Sequence, residues 1–256
     1  VEDLARRDFT INAIARNLIT EEMIDPFGGR GDLRAKIIRT PVDPDRTFHD
    51  DPLRILRGVR FAARFGFEIA PDTFEGMKRN VDRLSIVSEE RIAEEILKML
   101  EAAVPSRAFL LLDAIGALER ILPEVSALKE RRTEHPCKEL FSHTLKTLDN
   151  VSKHTRNVEI RLAMLLHDIG KPATLRVTGG KVSFHRHEFV GERMSQEVCR
   201  RLHLGAEQSR FVGRVIRFHL RPHLLAREDP GDSGLRRFIK EVGRDMPALF
   251  TVARAD

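Results

Sequence analysis

The 256-residue sequence contains no tryptophan and no tyrosine, so any stacking of a nucleic acid base must use phenylalanine or arginine side chains. It has only two cysteines, Cys137 and Cys199, which form neither a disulfide framework nor a structural zinc site alone. No stretch approaches the roughly 20 consecutive apolar residues of a membrane-spanning helix. We therefore expect a cytoplasmic protein in a reducing compartment, with no membrane partner.

The composition is that of a charge-rich globular protein. Hydrophobic residues make up 41% of the chain and charged residues 32%, which is enough apolar side chain for a sizeable core. The formal net charge of +5 favours an anionic partner, but it does not by itself identify nucleic acid. The length allows one large domain or two or three small ones.

Hydrophobic periodicity predicts a mainly α fold in three parts. Residues 1–45 alternate short strand-like segments with a turn-rich loop, and we expect a small α/β piece. Residues 46–137 are predicted to form a helical neck, and residues 138–256 a helical bundle. The helices expected in the bundle are Lys138–Ser152, Glu159–Asp168, Glu188–Leu202, Ser209–Phe218 and Gly234–Val242.

The helix predicted over residues 51–66 concentrates guanidinium groups on one side. At 100° per residue, four arginines fall in a sector roughly 120° wide: Arg54, Arg57, Arg60 and Arg64. Asp51 precedes Pro52 as a typical N-cap. Asp51 and Arg54 together could match the donors and acceptors of a nucleobase edge. On pattern alone, an N-cap and a solvated face explain these residues more simply.

Four motifs that follow one another along the chain favour a functional role for these residues over a solvated face. They are RRDFTINA at residues 6–13, DPFGG at 25–29, DDPLR at 50–54 and SEERI at 88–92, where Ser88 is the expected N-cap. Together they resemble the RRDFTxNA, EDxxR and SxERI motifs, and the loop between them, of the class II tRNA nucleotidyltransferase and bacterial poly(A) polymerase family. The resemblance covers residues 1–101, with Asp50 standing where the family has Glu.

The resemblance implies a set of nucleotide-binding residues, which are Arg7, Asp8, Asn12, Asp51, Arg54, Arg57, Arg60 and Arg91. Arg7, Asp8 and Asn12 would contact the ribose. Asp51 and Arg54 would pair with the base of ATP or CTP, and Arg91 would brace the neck around them. The implied activity is Mg²⁺-dependent CCA addition to tRNA, while A-only, CC-only and poly(A) addition stay open.

The family's glycine-rich phosphate loop and Asp-x-Asp carboxylates belong before the RRDFT motif. No Asp pair in residues 1–45 follows that pattern. We therefore expect residues 1–45 to be the C-terminal part of a nucleotidyltransferase head, and this chain alone to be inactive in nucleotide addition, because phosphoryl transfer needs metal-held carboxylates.

A second constellation lies at His167-Asp168, where an apolar helix meets a Gly-Lys-Pro stop. Adjacent helical side chains diverge by about 100°, so one metal takes both only at a helix end or with partners from elsewhere. His143 and Asp256 are candidate partners, and this donor set suits Mn, Fe, Ni, Zn or Mg. A His-Asp pair that only hydrogen-bonds locally is the simpler alternative.

The pattern over residues 138–256 resembles the HD superfamily of metal-dependent phosphohydrolases, in its HDIGK form. The resemblance implies that His143, His167, Asp168 and Asp256 hold a divalent metal whose bound water is the nucleophile. His187, His219 and Lys171 are possible additions to this site. The functional alternatives are therefore a phosphodiesterase or phosphatase, and a noncatalytic tRNA-binding module.

Overall fold

The computed structural model describes residues 1–129, 140–227 and 231–256. The fold is mainly helical, as predicted, and divides into two compact units, residues 1–117 and 118–256. The predicted domain boundary at 137/138, Cys137 and the start of the helix predicted from Lys138 all lie outside the described residues.

The first unit has seven helices and two pairs of short strands. The helices are α1 (Glu2–Ala5), α2 (Gly29–Ala35), α3 (Pro44–Asp50), α4 (Leu53–Phe65), α5 (Pro71–Asn80), α6 (Glu89–Leu100) and α7 (Ser106–Ala114). β1 (Ala15–Arg16) pairs antiparallel with β2 (Met23–Ile24), and β3 (Ile37–Ile38) pairs parallel with β4 (Glu68–Ile69).

Helix α4 is the central helix of this unit. The Asp51 side chain accepts a hydrogen bond from the Leu53 backbone N–H, so Asp51 caps the helix as predicted. The helix ends at Gly66, whose φ of 70° is the left-handed conformation that glycine adopts at little cost. At Gly58 an added Cβ would lie 2.3 Å from Met77 Cε and 2.8 Å from Phe9 Cζ, so both side chains would have to move to accept a larger residue.

The expectation that Arg60 faces solvent with the other arginines of α4 is wrong. Arg60 is 7% exposed, and its Nε donates to Glu95 Oε2 of α6 over 2.6 Å. Both side chains are buried, so each neutralises the charge that would otherwise forbid the other's burial. Ser88 stands at the N-cap position of α6, as expected, but its side chain makes no capping hydrogen bond.

The second unit is a helical bundle with one hairpin of strands. Its described helices are α8 (Leu118–Ile121), α9 (Pro123–Ser126), α10 (Leu140–Ser152), α11 (Val158–Leu166), α12 (Lys171–Thr174), α13 (His187–Arg201), α14 (Ala206–Phe218), α15 (Arg221–Arg227), α16 (Gly231–Val242) and α17 (Met246–Ala255). The hairpin joins β5 (Arg176–Thr178) and β6 (Lys181–Ser183) in antiparallel register.

Helix α11 is the centre of the bundle, and every residue from Arg161 to Leu166 is buried. It packs against α10, α14 and α17. The helix ends at Leu166, before the predicted end at Asp168, so His167 and Asp168 stand at a helix end. An added Cβ on Gly170 would lie 2.2 Å from the His187 carbonyl oxygen, so a glycine is needed where α13 crosses this turn.

No helix among the described residues has the length and apolar content required to cross a lipid bilayer.

Candidate nucleotide cleft and candidate metal centre

The first unit contains an open cleft of about 570 Å³ between the start of the chain and the first turns of α4. We call it the first-unit cleft. Seven of the eight residues assigned to nucleotide binding by sequence line it, and Arg60 does not. The complete lining is Arg6, Arg7, Asp8, Asn12, Asp51, Leu53, Arg54, Arg57, Phe61 and Arg91.

Asp8 is the most constrained carboxylate of the cleft. Its Oδ2 accepts from Nε and Nη2 of Arg57, at 2.8 and 2.6 Å. Its Oδ1 accepts from the Asn12 side-chain amide and from the Phe9 backbone N–H, each over 2.9 Å. Since Asp8 itself is buried, these contacts fix Arg57 and Asn12 in place before any ligand arrives.

Asp51 and Arg54 are held by a second set of contacts. Arg91 Nη2 donates to Asp51 Oδ2 over 2.8 Å, so Arg91 directly contacts one of the residues that it is predicted to brace. Arg54 donates to the backbone carbonyls of Arg6 and Thr47, at 2.7 and 3.3 Å. A carboxylate and a guanidinium are thus oriented on one cleft wall, the arrangement required to match a base edge.

Sequence reasoning missed Arg6 and Phe61 as lining residues of this cleft. Phe61 follows Arg57 by four positions and therefore lies on the same face of α4, which is a signal that the periodicity contained. The guanidinium of Arg57 lies 5.4 Å from the centre of the Phe61 ring. Arg64, the fourth arginine of the predicted sector, is exposed and does not line the cleft.

The second unit brings the four predicted metal ligands together from α10, the end of α11 and the end of α17. His143 Nε2 lies 3.0 Å from Asp256 Oδ1 and 3.8 Å from Asp168 Oδ2. His167 Nε2 lies 3.3 Å from Asp168 Oδ2 and 3.5 Å from Asp256 Oδ1. The separations are those of ligand atoms that could share one ion.

Two further histidines approach the same carboxylate from its other side. His187 Nε2 is 3.5 Å from Asp168 Oδ1, and the His187 ring lies 5.4 Å from the His219 ring, centre to centre. The ligand atoms fall into two groups of three, His143–His167–Asp168 and Asp168–His187–His219, each within 4.8 Å. Asp168 belongs to both groups. Its Oδ2 faces His143 and His167, and its Oδ1 faces His187.

The three buried histidines are oriented identically. The Nδ1 atoms of His167, His187 and His219 lie 2.7, 2.9 and 2.6 Å from the backbone carbonyls three residues earlier. A carbonyl accepts only from a protonated Nδ1, so this contact leaves Nε2 facing the centre. A backbone carbonyl that orients the ring in this way is the common arrangement behind a metal-bound histidine.

The donor atoms fit a divalent metal. Nε2 of these three histidines and Oδ1 of Asp168 are buried and have no hydrogen-bond partner among the described residues. Buried polar atoms without partners are costly, and each needs a compensating ligand. A cation that accepts lone pairs from all of them supplies this, whereas a local hydrogen-bonding role for the His-Asp pair does not.

The pKa values describe the centre in its metal-free form. Burial alone would lower the pKa of His167, but the carboxylates of Asp168 and Asp256 outweigh it and raise that pKa to about 10. Burial opposes ionisation of both carboxyl groups, yet the facing histidines hold their pKa values well below the usual range. Burial, together with the charge on His167, lowers the pKa of His219 to about 4.

Lys171 lies at the edge of the centre, and its Nζ donates to Asp168 Oδ2 over 2.6 Å. This places an ammonium next to the predicted ligands, as the HDIGK pattern suggested. Two further histidines of the second unit, His185 and His223, are exposed.

Three domain families match successive segments of the chain. Residues 1–39 match the poly A polymerase head domain, residues 66–129 the probable RNA and SrmB-binding site of polymerase A, and residues 140–252 the HD domain. The chain therefore contains, in order, a segment of the poly A polymerase head domain, a segment of the RNA-binding site of polymerase A and an HD domain.

Curated relatives agree with this assignment. The multifunctional CCA protein of Laribacter hongkongensis is 40% identical over 264 residues, covering 99% of this chain and 61% of that protein. The multifunctional CCA protein of Nitrosomonas eutropha is 40% identical over 243 residues, covering 88% of this chain and 56% of that protein. The chain therefore spans 61% and 56% of the length of these two relatives.

Solved structures show the same architecture. The CCA-adding enzyme of Bacillus stearothermophilus, in complex with CTP, matches 99% of this chain and 54% of that chain, with a TM-score of 0.68 and 28% identity. The CCA-adding enzyme of Thermotoga maritima, complexed with tRNA, matches with a TM-score of 0.66 and 23% identity. The second likeness supports the fold alone.

Proposed function

We propose that the chain selects the nucleotide and holds the RNA in a tRNA 3′-end nucleotidyltransferase that adds CCA from CTP and ATP. The observation that carries the proposal is the meeting of Asp8, Asp51, Arg54, Arg57 and Arg91 on the first-unit cleft. A cleft of about 570 Å³ is in the size range of small-ligand sites. The relatives named as CCA proteins, and the neighbour bound to CTP, support this substrate class.

Each cleft residue has a role that its contacts allow. Asp51 would accept from the exocyclic amino group of cytosine or adenine, and Arg54 would donate to a ring nitrogen or carbonyl oxygen. Asp8, Arg57 and Asn12 would hold the ribose. Mg²⁺, when bound, neutralises charge on the triphosphate. Arginine and lysine side chains of the chain would bind tRNA through its phosphates and shape.

Replacing Asp51 by asparagine is expected to reduce the preference for CTP over UTP by about tenfold, since one well-placed base contact is worth about 1–3 kcal/mol of discrimination. Asparagine is as good an N-cap as aspartate, so the helix start is retained. Dissociation constants for CTP, ATP and UTP, measured by calorimetry, test this.

Glu75→Gln is the matched control, because Glu75 is an exposed carboxylate of the same unit whose partner is Lys78. It should leave all three dissociation constants unchanged. Equal binding of CTP and UTP by the unaltered chain would contradict base selection at this cleft.

A second candidate function rests on the metal centre. We propose that the second unit is a metal-dependent phosphohydrolase acting on phosphomonoesters or 2′,3′-cyclic phosphates. Its support is the set of buried, unpartnered Nε2 and carboxylate atoms around Asp168, which form two groups of potential ligands. The identity of the metal belongs to this proposal, and the donor set suits Mn, Fe, Ni, Zn or Mg.

The residues of the centre have distinct tasks in such a reaction. A bound metal would supply a water of lowered pKa as nucleophile. His143, His167, Asp168 and Asp256 would form one ligand group, and His187 and His219 would complete the second with Asp168. Lys171, 2.6 Å from Asp168 Oδ2, is close enough to hold a substrate phosphate beside the centre.

Hydrolysis of 2′,3′-cyclic AMP by the chain should require added Mn²⁺ or another divalent metal and should stop on chelation. Metal affinity should decrease about tenfold for each unit by which the pH is lowered below the His167 pKa of about 10. The reason is that the proton on Nε2 competes with the ion. Metal titrations across a pH series measure the affinity, and formation of 2′-AMP or 3′-AMP from the cyclic phosphate measures the hydrolysis. Metal affinity that does not change with pH would contradict ligation by His167.

A further inference from the structure

The second unit also contains a cleft, which lies between α13, α14, α15 and α16 and has a volume of about 430 Å³. We call it the arginine cleft. Its lining includes Arg217, Arg221 and Arg237, with Phe189, Glu188 and Glu241. None of the motifs above assigns a role to it. Glu188 follows His187 directly in the chain, and its Oε2 lies 3.8 Å from His187 Nδ1.

Two of the three arginines of this cleft have donors without acceptors, whereas Arg237 donates to Glu241 Oε1 over 3.2 Å. Arg217 Nη1 and Arg221 Nε are buried and have no hydrogen-bond partner among the described residues. The nearest carboxylates, Glu192 for Arg217 and Glu241 for Arg221, lie 4.0 and 3.7 Å away. These separations exceed hydrogen-bond distance, so each arginine has donor capacity that these carboxylates do not use.

The cleft also has an apolar, aromatic side. Phe189 is 41% exposed, although it is a large hydrophobic residue, and the Arg217 guanidinium lies over its ring. With no tryptophan or tyrosine in the sequence, phenylalanine and arginine are the residues available for stacking a base. Leu220 and Leu224 extend this side of the cleft.

The mixture of groups narrows the ligand class. Forked cations match a phosphate, and a half-exposed ring matches a planar base. The carboxylates of Glu188 and Glu241 would repel a bare anion, but they accept hydrogen bonds from ribose hydroxyls or a base amino group. A nucleoside phosphate presents all three kinds of group, whereas inorganic phosphate presents only one.

We propose that the arginine cleft binds a nucleoside phosphate, with its phosphate on Arg217 and Arg221 and its base against Phe189. The proposal rests on the phosphohydrolase function for its purpose, since the cleft would deliver a nucleotide to the neighbouring metal centre. Binding itself needs no metal and no turnover. The same nucleotide unit can belong to a free mononucleotide or to the end of an RNA.

The test is a calorimetric titration of the metal-free full chain with AMP, inorganic phosphate and a short oligoribonucleotide. Arg217→Gln and Arg221→Gln should each weaken binding of AMP or of the oligonucleotide about tenfold, the effect of losing one charged hydrogen bond. Phe189→Leu should weaken these two probes but not inorganic phosphate. Arg236→Gln is the control, since Arg236 is a largely exposed arginine of α16.

All of these variants keep the first-unit cleft, so only their difference from Arg236→Gln reports on the arginine cleft. Tighter binding of AMP identifies a free nucleotide as the ligand, and tighter binding of the oligonucleotide identifies an RNA end. Unchanged affinities in both arginine variants overturn the proposal, as does inorganic phosphate binding as tightly as AMP. Retained metal binding by each variant shows that the unit is folded.

The two proposals fail separately. If nucleotide binding depends on Arg217 and Arg221 but the metal-loaded chain hydrolyses nothing, the phosphohydrolase proposal is wrong and the proposal that the arginine cleft binds a nucleotide is retained. If hydrolysis occurs with the same KM in both arginine variants, the proposed role of the arginine cleft is wrong and the phosphohydrolase proposal is retained.

Discussion

Asp168→Asn is expected to abolish metal binding by the second unit and, with it, hydrolysis. Asp168 has no exposed surface, and each of its two oxygens faces a different pair of histidines. The substitution changes a carboxylate into a neutral amide, so both ligand groups lose the carboxylate that they share, and only Asp256 remains as an anionic ligand near His143 and His167. The loss should exceed the roughly 10–100-fold typical of removing a residue that only supports a ligand. Metal content after dialysis is the measurement.

Two further aspartate variants test whether the loss of metal binding is specific to Asp168. Asp256→Asn removes a carboxylate whose Oδ1 lies 3.0 Å from His143 Nε2 and 3.5 Å from His167 Nε2, so the group formed by Asp168, His187 and His219 should still bind metal. Asp232→Asn changes an almost fully exposed aspartate of the same unit and should change nothing. A full complement of metal in Asp168→Asn would contradict the assigned centre.

Glu95→Ala is expected to lower the free energy of unfolding of the first unit by about 3–5 kcal/mol. The substitution leaves the buried Arg60 guanidinium without its anion, and an uncompensated buried charge is among the most destabilising defects in a protein core. Denaturant unfolding of the chain, followed by circular dichroism, measures the change.

The neighbouring Glu94 supplies the control. Glu94 pairs with Lys98 on the exposed face of the same helix, and such surface pairs contribute little. Glu94→Ala should therefore leave the unfolding midpoint nearly unchanged. The double variant Arg60→Met/Glu95→Leu should regain most of the stability lost in Glu95→Ala, because well-packed apolar residues commonly replace a buried ion pair without loss. Equal effects of Glu94→Ala and Glu95→Ala would refute the account.

The buried ion pair also shows what the sequence contained and what was overlooked. Arg60 follows Leu56 by four positions and Leu53 by seven, so all three share a face of α4, and both leucines are buried. The four-arginine sector of the sequence analysis placed Arg60 with the exposed arginines and did not use its spacing from these leucines. Glu95 likewise falls among the buried apolar residues of α6. A single acid on an apolar face is a signal for a buried cation.

The metal centre was predictable in part. The His-Asp pair before a Gly-Lys-Pro stop identified a helix end, and the structure ends α11 at Leu166. The distances among His143, Asp168 and Asp256 depend on how α10, α11 and α17 pack, which no local pattern states. The arginine cleft had no motif, because its residues become neighbours only through the packing of four helices.

The backbone contacts of the buried histidines connect the metal centre to the stability of the bundle. His167 and His219 directly follow α11 and α14, and their rings donate to carbonyls of the last helical turn. Such carbonyls have no partner within a helix, so each ring closes a helix end while its other nitrogen faces the ion. A cation polarises the imidazole and strengthens its N–H donor. Cation binding at the proposed centre would therefore be coupled to tightening of two helix termini, and fraying of either terminus would weaken binding of the ion.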